Sequence, residues 1–192
     1  MSQTHVLFIQ GGGEGAHAAD AALADSLKKA LGPNYTVRFP RMPGEASPQF
    51  AAWKRKLASE LSHGRGDLVL VGHSLGGAML LNYLAEESET LRNMPVAGLF
   101  LLAVPAWDGK KWQFDELKLP ADIADKLADI PQIFLYHCRD DKVVPFEHLA
   151  LHAAQLPDAI VREIDHGGHQ FDKDLSEVAE DIRDGDDAVG LL

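Results

Sequence analysis

Asp67-Leu68-Val69-Leu70-Val71-Gly72-His73-Ser74-Leu75-Gly76-Gly77-Ala78-Met79-Leu80-Leu81-Asn82-Tyr83 is the stretch that decides the fold. Residues 68–71 are apolar without a break, the mark of a strand buried on both faces. Gly72 ends the run, Ser74 follows two residues on, and a helical pattern occupies 76–87. The local order is therefore strand, sharp turn, helix. Gly72-His73-Ser74-Leu75-Gly76 fits Gly-x-Ser-x-Gly, the nucleophile-elbow pattern. A serine at the tip of so tight a turn sits in a strained backbone conformation. The residues two before and two after it approach each other closely, so both are expected to lack side chains. The hydroxyl then projects beside a helix N-terminus, where amides and dipole favour developing negative charge.

By chance the five-residue pattern arises roughly once in fifteen to twenty chains of this size, so its context has to carry the reading. The competing reading is a plain strand–turn–helix in which Ser74 caps the helix. Working outward, 5–9 reads as a first strand and Gln10-Gly11-Gly12-Gly13-Glu14-Gly15 as a loop of nearly bare backbone. A helix over 18–31 stops at Gly32-Pro33. A second strand is expected over 35–39 and a helix over 48–61, with Phe50, Trp53, Leu57 and Leu61 on one face. Beyond the central stretch come a strand at 96–103, an irregular segment at 105–120 and a short helix at 121–129. A strand at 133–137, a helix at 146–155, a strand at 160–164 and a helix at 172–182 complete the pattern. The acidic tail, 183–192, reads as frayed.

Strands alternating with helices predict an α/β fold: a doubly wound three-layer sandwich on a mainly parallel six-stranded sheet, forming one domain over 1–192. Sites in such sheets lie at the carboxyl ends of the strands. Four loops then converge on one edge: 10–15, 72–76, 139–145 and 165–169.

The composition narrows the function. A formal net charge of −11 argues against a nucleic-acid partner. The longest apolar run, 94–107, is broken by Pro95, Gly98 and Pro105 and is too short to span a bilayer, so no membrane is expected. Cys138 is the single cysteine, which fits a reducing compartment, and residues 1–4 lead straight into a strand without a leader-like apolar region; a cytoplasmic location is expected.

A serine hydroxyl needs a base to become a nucleophile, and the base needs an orienting partner. After the fifth strand stands Cys138-Arg139-Asp140-Asp141-Lys142-Val143-Val144-Pro145; after the sixth stands Asp165-His166-Gly167-Gly168-His169-Gln170-Phe171. Either acid and either histidine can face Ser74. The chain order Ser, Asp, His is that of the α/β-hydrolases.

On these residues the chain resembles an α/β-hydrolase, and within that fold the compact, cap-less serine hydrolases of the retinoblastoma-binding protein 9 type. The resemblance implies a minimal α/β-hydrolase fold and a serine hydrolase that cleaves a small acyl ester, thioester or amide through an acyl-enzyme. The family acid precedes a Val-Pro pair, which here singles out Asp141, ahead of Val144-Pro145. The family histidine follows glycine, which singles out His169 after Gly168. The family loop after strand one begins His-Gly, where this chain has Gln10-Gly11. By the same resemblance the oxyanion hole consists of the backbone amides of Leu75 and Gly12, with Gly13 as second choice.

Other motifs compete less well. Gly11-Gly12-Gly13-Glu14-Gly15-Ala16 also reads as Gly-x-Gly-x-x-Ala, but the acid that binds a ribose is replaced by Arg38-Phe39-Pro40-Arg41, so no nucleotide cofactor is expected. The histidines show no shared ligand spacing, and no metal is expected. His73 should point away from Ser74; His137 and Cys138 read as packing residues, and Asp140 as a loop acid able to pair with Arg139. Trp107, Trp112 and Phe114 either close the core under a long loop or wall an acyl pocket, and Trp107 and Trp112 are the tentative pocket residues. The expected partner is a small-molecule acyl substrate. The rival from another class is a non-catalytic binding or scaffold protein that keeps the fold alone.

Overall fold

The computed structural model describes residues 4–62, 67–91, 94, 96–112 and 114–189. Strands and helices alternate through the first part of the chain: β1 (Thr4–Ile9), α1 (Ala16–Leu31), β2 (Tyr35–Arg38), α2 (Phe50–Ser62), β3 (Leu68–His73) and α3 (Leu75–Glu86). After the short α4 (Ser88–Leu91) come β4 (Val96–Leu102), α5 (Ile123–Lys126), β5 (Ile133–Cys138), α6 (Glu147–Gln155), β6 (Ile160–Ile164) and α7 (Ser176–Val189). Single 3₁₀ turns occupy Asp115–Leu117 and Gly168–Lys173.

The six strands form one sheet in the order β2-β1-β3-β4-β5-β6, and every neighbouring pair is parallel. Alternation along β3 explains its unbroken apolar run. Leu68 and Leu70 face a core shared with Trp53 and Leu57 of α2, Leu80 and Leu84 of α3 and Leu149 of α6. Val69 and Val71 face the opposite core, shared with Leu23 and Leu27 of α1 and Val178 and Ile182 of α7. Each such side chain is worth about 1.5–3 kcal/mol of burial, so a polar residue anywhere on β3 would be costly on one face or the other. Phe100, stacked on Phe134 with centroids 5.0 Å apart, extends the second core along the sheet.

Strand order reverses between β1 and β3, so the loops that leave their carboxyl ends diverge to opposite faces and open a crevice there. The glycine loop and Ser74 flank that crevice.

Three boundaries differ from the sequence reading by more than two residues. The helix expected over 121–129 is helical only at Ile123–Lys126. The last helix starts at Ser176 and not at residue 172, because Phe171, Asp172 and Lys173 all take left-handed φ angles of 49°, 49° and 59°. It then continues to Val189, through most of the stretch expected to fray. Thr4 Oγ1 donates to Asp186 at 3.1 Å, and the Arg183 guanidinium donates to the carbonyl of Ala30. The final part of the tail, 190–192, lies outside the described residues.

Candidate active site

Ser74 sits at φ 51°, ψ −128°, the strained geometry anticipated for the tip of the turn. Its amide donates to Leu102 of β4 at 2.8 Å and its carbonyl accepts from Gly77 at 3.0 Å, so the turn is tied to the sheet on one side and to α3 on the other. The glycines around it are needed for a reason other than the one expected. A Cβ on Gly72 would fall 2.6 Å from Cα of Gly77, and a Cβ on Gly76 would run into the carbonyls of Ile9 and Gln10. Gly72 thus lets α3 approach its own strand. Gly76 lets the elbow approach β1.

Asp141 and His169 come together from the ends of β5 and β6. His169 Nδ1 donates to Asp141 Oδ2 at 2.8 Å. The same carboxylate accepts from His137 Nε2 at 3.1 Å and from the amides of Val143 and Val144 at 2.7 and 3.0 Å. Burial works to raise the Asp141 pKa, but the bonds from His137 and His169 outweigh it and hold the carboxyl far below its ordinary range. His137, read as a packing residue, is therefore a partner of the acid; it also faces the Val144 carbonyl at 3.1 Å.

Asp140 does not pair with Arg139, whose guanidinium reaches Glu163 and Asp165. It accepts instead from the amides of Gly168 at 2.8 Å and Gly167 at 3.4 Å. Two neighbouring acids thus do separate work: Asp141 meets the His169 ring and Asp140 holds the turn that presents it. His166 is exposed, with Nδ1 3.8 Å from Asp140.

Ser74 and His169 line one cleft of about 180 Å³, together with Gly11, Gly12, Gly15 and Gln170. The Gly11 amide is taken by Asp20 Oδ2 at 2.7 Å and the Gly13 amide by the Glu45 carbonyl at 2.6 Å. Among the bonds of the described residues, the Gly12 amide has no such acceptor. A Cβ on Gly12 would clash with the Leu75 side chain, so the two stretches expected to hold an oxyanion do lie against each other. Gln10, which stands where the family has histidine, is fully buried. Its amide donates to Glu45 at 2.9 Å and accepts from Met42 at 2.9 Å, anchoring the loop from below.

Sequence reasoning missed Asp20. It is 1% exposed, and its carboxylate receives His73 Nδ1 at 2.8 Å and Gln170 at 3.0 Å. One signal was available: Asp20 continues the buried stripe of Leu23, Ala24, Leu27 and Leu31 on α1. Burial acts to raise its pKa, but the hydrogen bond and charge of His73 prevail, and the carboxyl is held low.

Trp107 and Trp112 pack against the first core, and Trp112 meets His148 edge-on at 5.6 Å. Neither lines the cleft at Ser74. The segment that carries them leaves β4 beside the elbow, where Val104 touches Gly77. His148 Nδ1 accepts the Ala106 amide at 2.9 Å, and His152 Nε2 donates to the Pro105 carbonyl at 3.2 Å, so α6 fastens this segment down. Cys138 is buried, and burial with the nearby acids pushes its thiol up to about 12, which leaves it inert as a nucleophile. No group of three potential metal ligands occurs among the described residues. No described helix is long and apolar enough to cross a membrane.

A family model described as serine hydrolase matches residues 24–176, well over half of the chain. The chain belongs to the serine hydrolase family. Among curated proteins no sequence matches this serine hydrolase. Solved structures match it in fold. The ydeN gene product from B. subtilis is 18% identical with a TM-score of 0.73, covering 95% of this chain and 98% of its own. A pyrethroid hydrolase from Sphingobium faniae JZ-2 is 18% identical with a TM-score of 0.67 over 98% and 99%. A serine hydrolase involved in carbazole degradation, the CarC enzyme, is 18% identical with a TM-score of 0.68 over 95% and 90%. At this identity the likeness is one of fold, and it agrees with the cap-less six-stranded sheet described above.

Proposed function

We propose that this serine hydrolase cleaves small acyl esters, with thioesters and amides as related substrates, through an acyl-enzyme on Ser74. His169 takes the Ser74 proton through Nε2, since Nδ1 is turned to Asp141, and then returns it to the leaving group. Asp141 fixes the tautomer and stabilises the imidazolium that forms. The amides of Leu75 and Gly12 receive the oxyanion, a contribution of about 3–4 kcal/mol to lowering the barrier. A water activated by His169 then releases the acid. Trp107 and Trp112, which pack against the first core and lie outside the lining of the Ser74 cleft, brace the segment that leaves β4 beside the elbow. The motifs that carry the resemblance group the protein with the compact retinoblastoma-binding protein 9 type, and the inert, buried Cys138 accords with a cytoplasmic location.

The observation that supports this reading most is the shared cleft. Ser74 and His169 line one small space, and Asp141 stands 2.8 Å from the far side of the histidine ring. The test is labelling with a fluorophosphonate probe beside an ester chain-length series. Wild type should be labelled and Ser74→Ala should not. If wild type stays unlabelled while a control esterase reacts, the protein is a binder that has kept the fold. Labelling that persists in Ser74→Ala moves the nucleophile elsewhere.

A further inference from the structure

Beneath the elbow lies a second aspartate–histidine pair that the proposed chemistry does not use. Asp20 and His73 have side chains 2% and 1% exposed, 2.8 Å apart. Three donors converge on Asp20: the Gly11 amide and His73 Nδ1 on one oxygen, and the Gln170 amide on the other. A carboxylate so surrounded is ionised. The other ring nitrogen of His73 lies 2.8 Å from the carbonyl oxygen of His169, which only accepts. Both ring nitrogens of His73 are therefore engaged, one with Asp20 and the other with the His169 carbonyl. Its remaining neighbours are the His169 ring, 4.7 Å away between centroids, and the edge of Phe171 at 6.3 Å.

Stability alone does not account for this arrangement. A buried charged group with its partner is often no better for stability than apolar residues of the same volume. What the pair adds is connection. Asp20 grips the first residue of the glycine loop, His73 is the residue before Ser74, and His73 and Asp20 together grip His169 and Gln170. These are the three loops that would carry oxyanion donor, nucleophile and base, each starting from a different strand.

We propose that Asp20 and His73 are positioning residues, a buried hydrogen-bonded clasp that sets the distance between the Gly12 loop, Ser74 and the His169 ring. The role rests on the hydrolase reading above. The clasp acts on the reaction step and leaves substrate affinity nearly alone, because neither residue supplies a binding wall beyond the floor of the cleft.

Asp20→Asn is the informative variant. It keeps the shape, and the flipped Gln170 amide can present to it an oxygen, Oε1, that is buried without a partner in the native protein. It removes the carboxylate charge that the Gly11 amide and the His73 ring face, so the grip on both is weakened. The expected result is a kcat, and a fluorophosphonate labelling rate, about ten- to a hundredfold lower, with KM within twofold and an unchanged circular-dichroism spectrum. His73→Gln should behave alike. Variants that fold and turn over at the wild-type rate overturn the clasp while leaving the hydrolase reading intact. A wild type that never reacts sinks both.

Discussion

At Gly76 the backbone has no room for a methyl group, because the carbonyls of Ile9 and Gln10 occupy the place where Cβ would go. Backbone atoms of a central strand do not yield as a side-chain tip does. Gly76→Ala should therefore cost about 3 kcal/mol, the upper end for overpacking, read as a lower urea midpoint at constant m-value. A loss below about 0.5 kcal/mol, inside the ordinary surface range, would show that β1 can shift. Asp141 permits an equally pointed experiment. Its carboxylate accepts four hydrogen bonds and donates none. In Asp141→Asn the new amide must turn donors toward donors, and His169 loses its tautomer constraint. Turnover of an activated ester should fall about 10³–10⁴-fold, while stability falls far less steeply. A variant within tenfold of wild type would remove Asp141 from the chemistry.

Element by element, the loop between β6 and α7 depends most on contacts far away in sequence. Its two glycine amides rest on Asp140, 28 and 27 residues earlier. Asp140→Ala should free that turn: amide exchange at Gly167 and Gly168 should accelerate, and kcat should drop about tenfold as the His169 ring loses its fixed position. Exchange at wild-type rates would mean that Asp172, whose amide donates to the Gly167 carbonyl at 2.8 Å, holds the turn unaided. This loop also explains where the sequence was hard to read. β3 and β4 announce themselves because both their faces are buried, so apart from His73 at the end of β3 no residue in them is polar. The start of α7 is concealed, because three left-handed residues break a pattern that otherwise looks helical. Its far end was hidden by Asp184-Gly185-Asp186-Asp187, a poor helix by propensity that tertiary contacts to Ala30 and Thr4 carry. Ser74, Asp141 and His169 were legible through short local motifs. Asp20 and His73 were not, since their partnership spans 53 residues and neither belongs to a pattern that names the other.

For the molecule as a whole, acid should act in two stages. Burial depresses the pKa of His152 to about 4 in the folded state, against about 6.5 for the unfolded chain. The unfolded chain then binds the extra proton first. The stability due to a neutral His152 is complete above pH 6.5 and disappears as pH falls through about 4, a loss of about 3 kcal/mol. Burial lowers His148 in the same direction. Asp141 follows on a lower window. Its folded pKa lies beneath the unfolded value of about 3.9, so its contribution is whole above that pH and disappears only below it. Thermal melts from pH 8 to 3 should show the melting temperature declining first between 6.5 and 4, then again below 4. His152→Gln, which keeps a neutral donor toward Pro105, should flatten the first decline and spare the second. An unchanged first decline would assign it to another group.

The long reach of α7 bears on the order in which the protein becomes able to work during its synthesis. A nascent chain that has left the ribosome up to Leu175 already holds Ser74, Asp141 and His169. It still lacks Val178, Ala179 and Ile182, which cover the face of the sheet bearing Phe100, Phe134 and Tyr136 and lie against the helix that carries Asp20. Until those last turns emerge, the part of that face over β4 and β5 is bare and α1 lacks its neighbour α7. The proposed nucleophile is therefore made early and armed late.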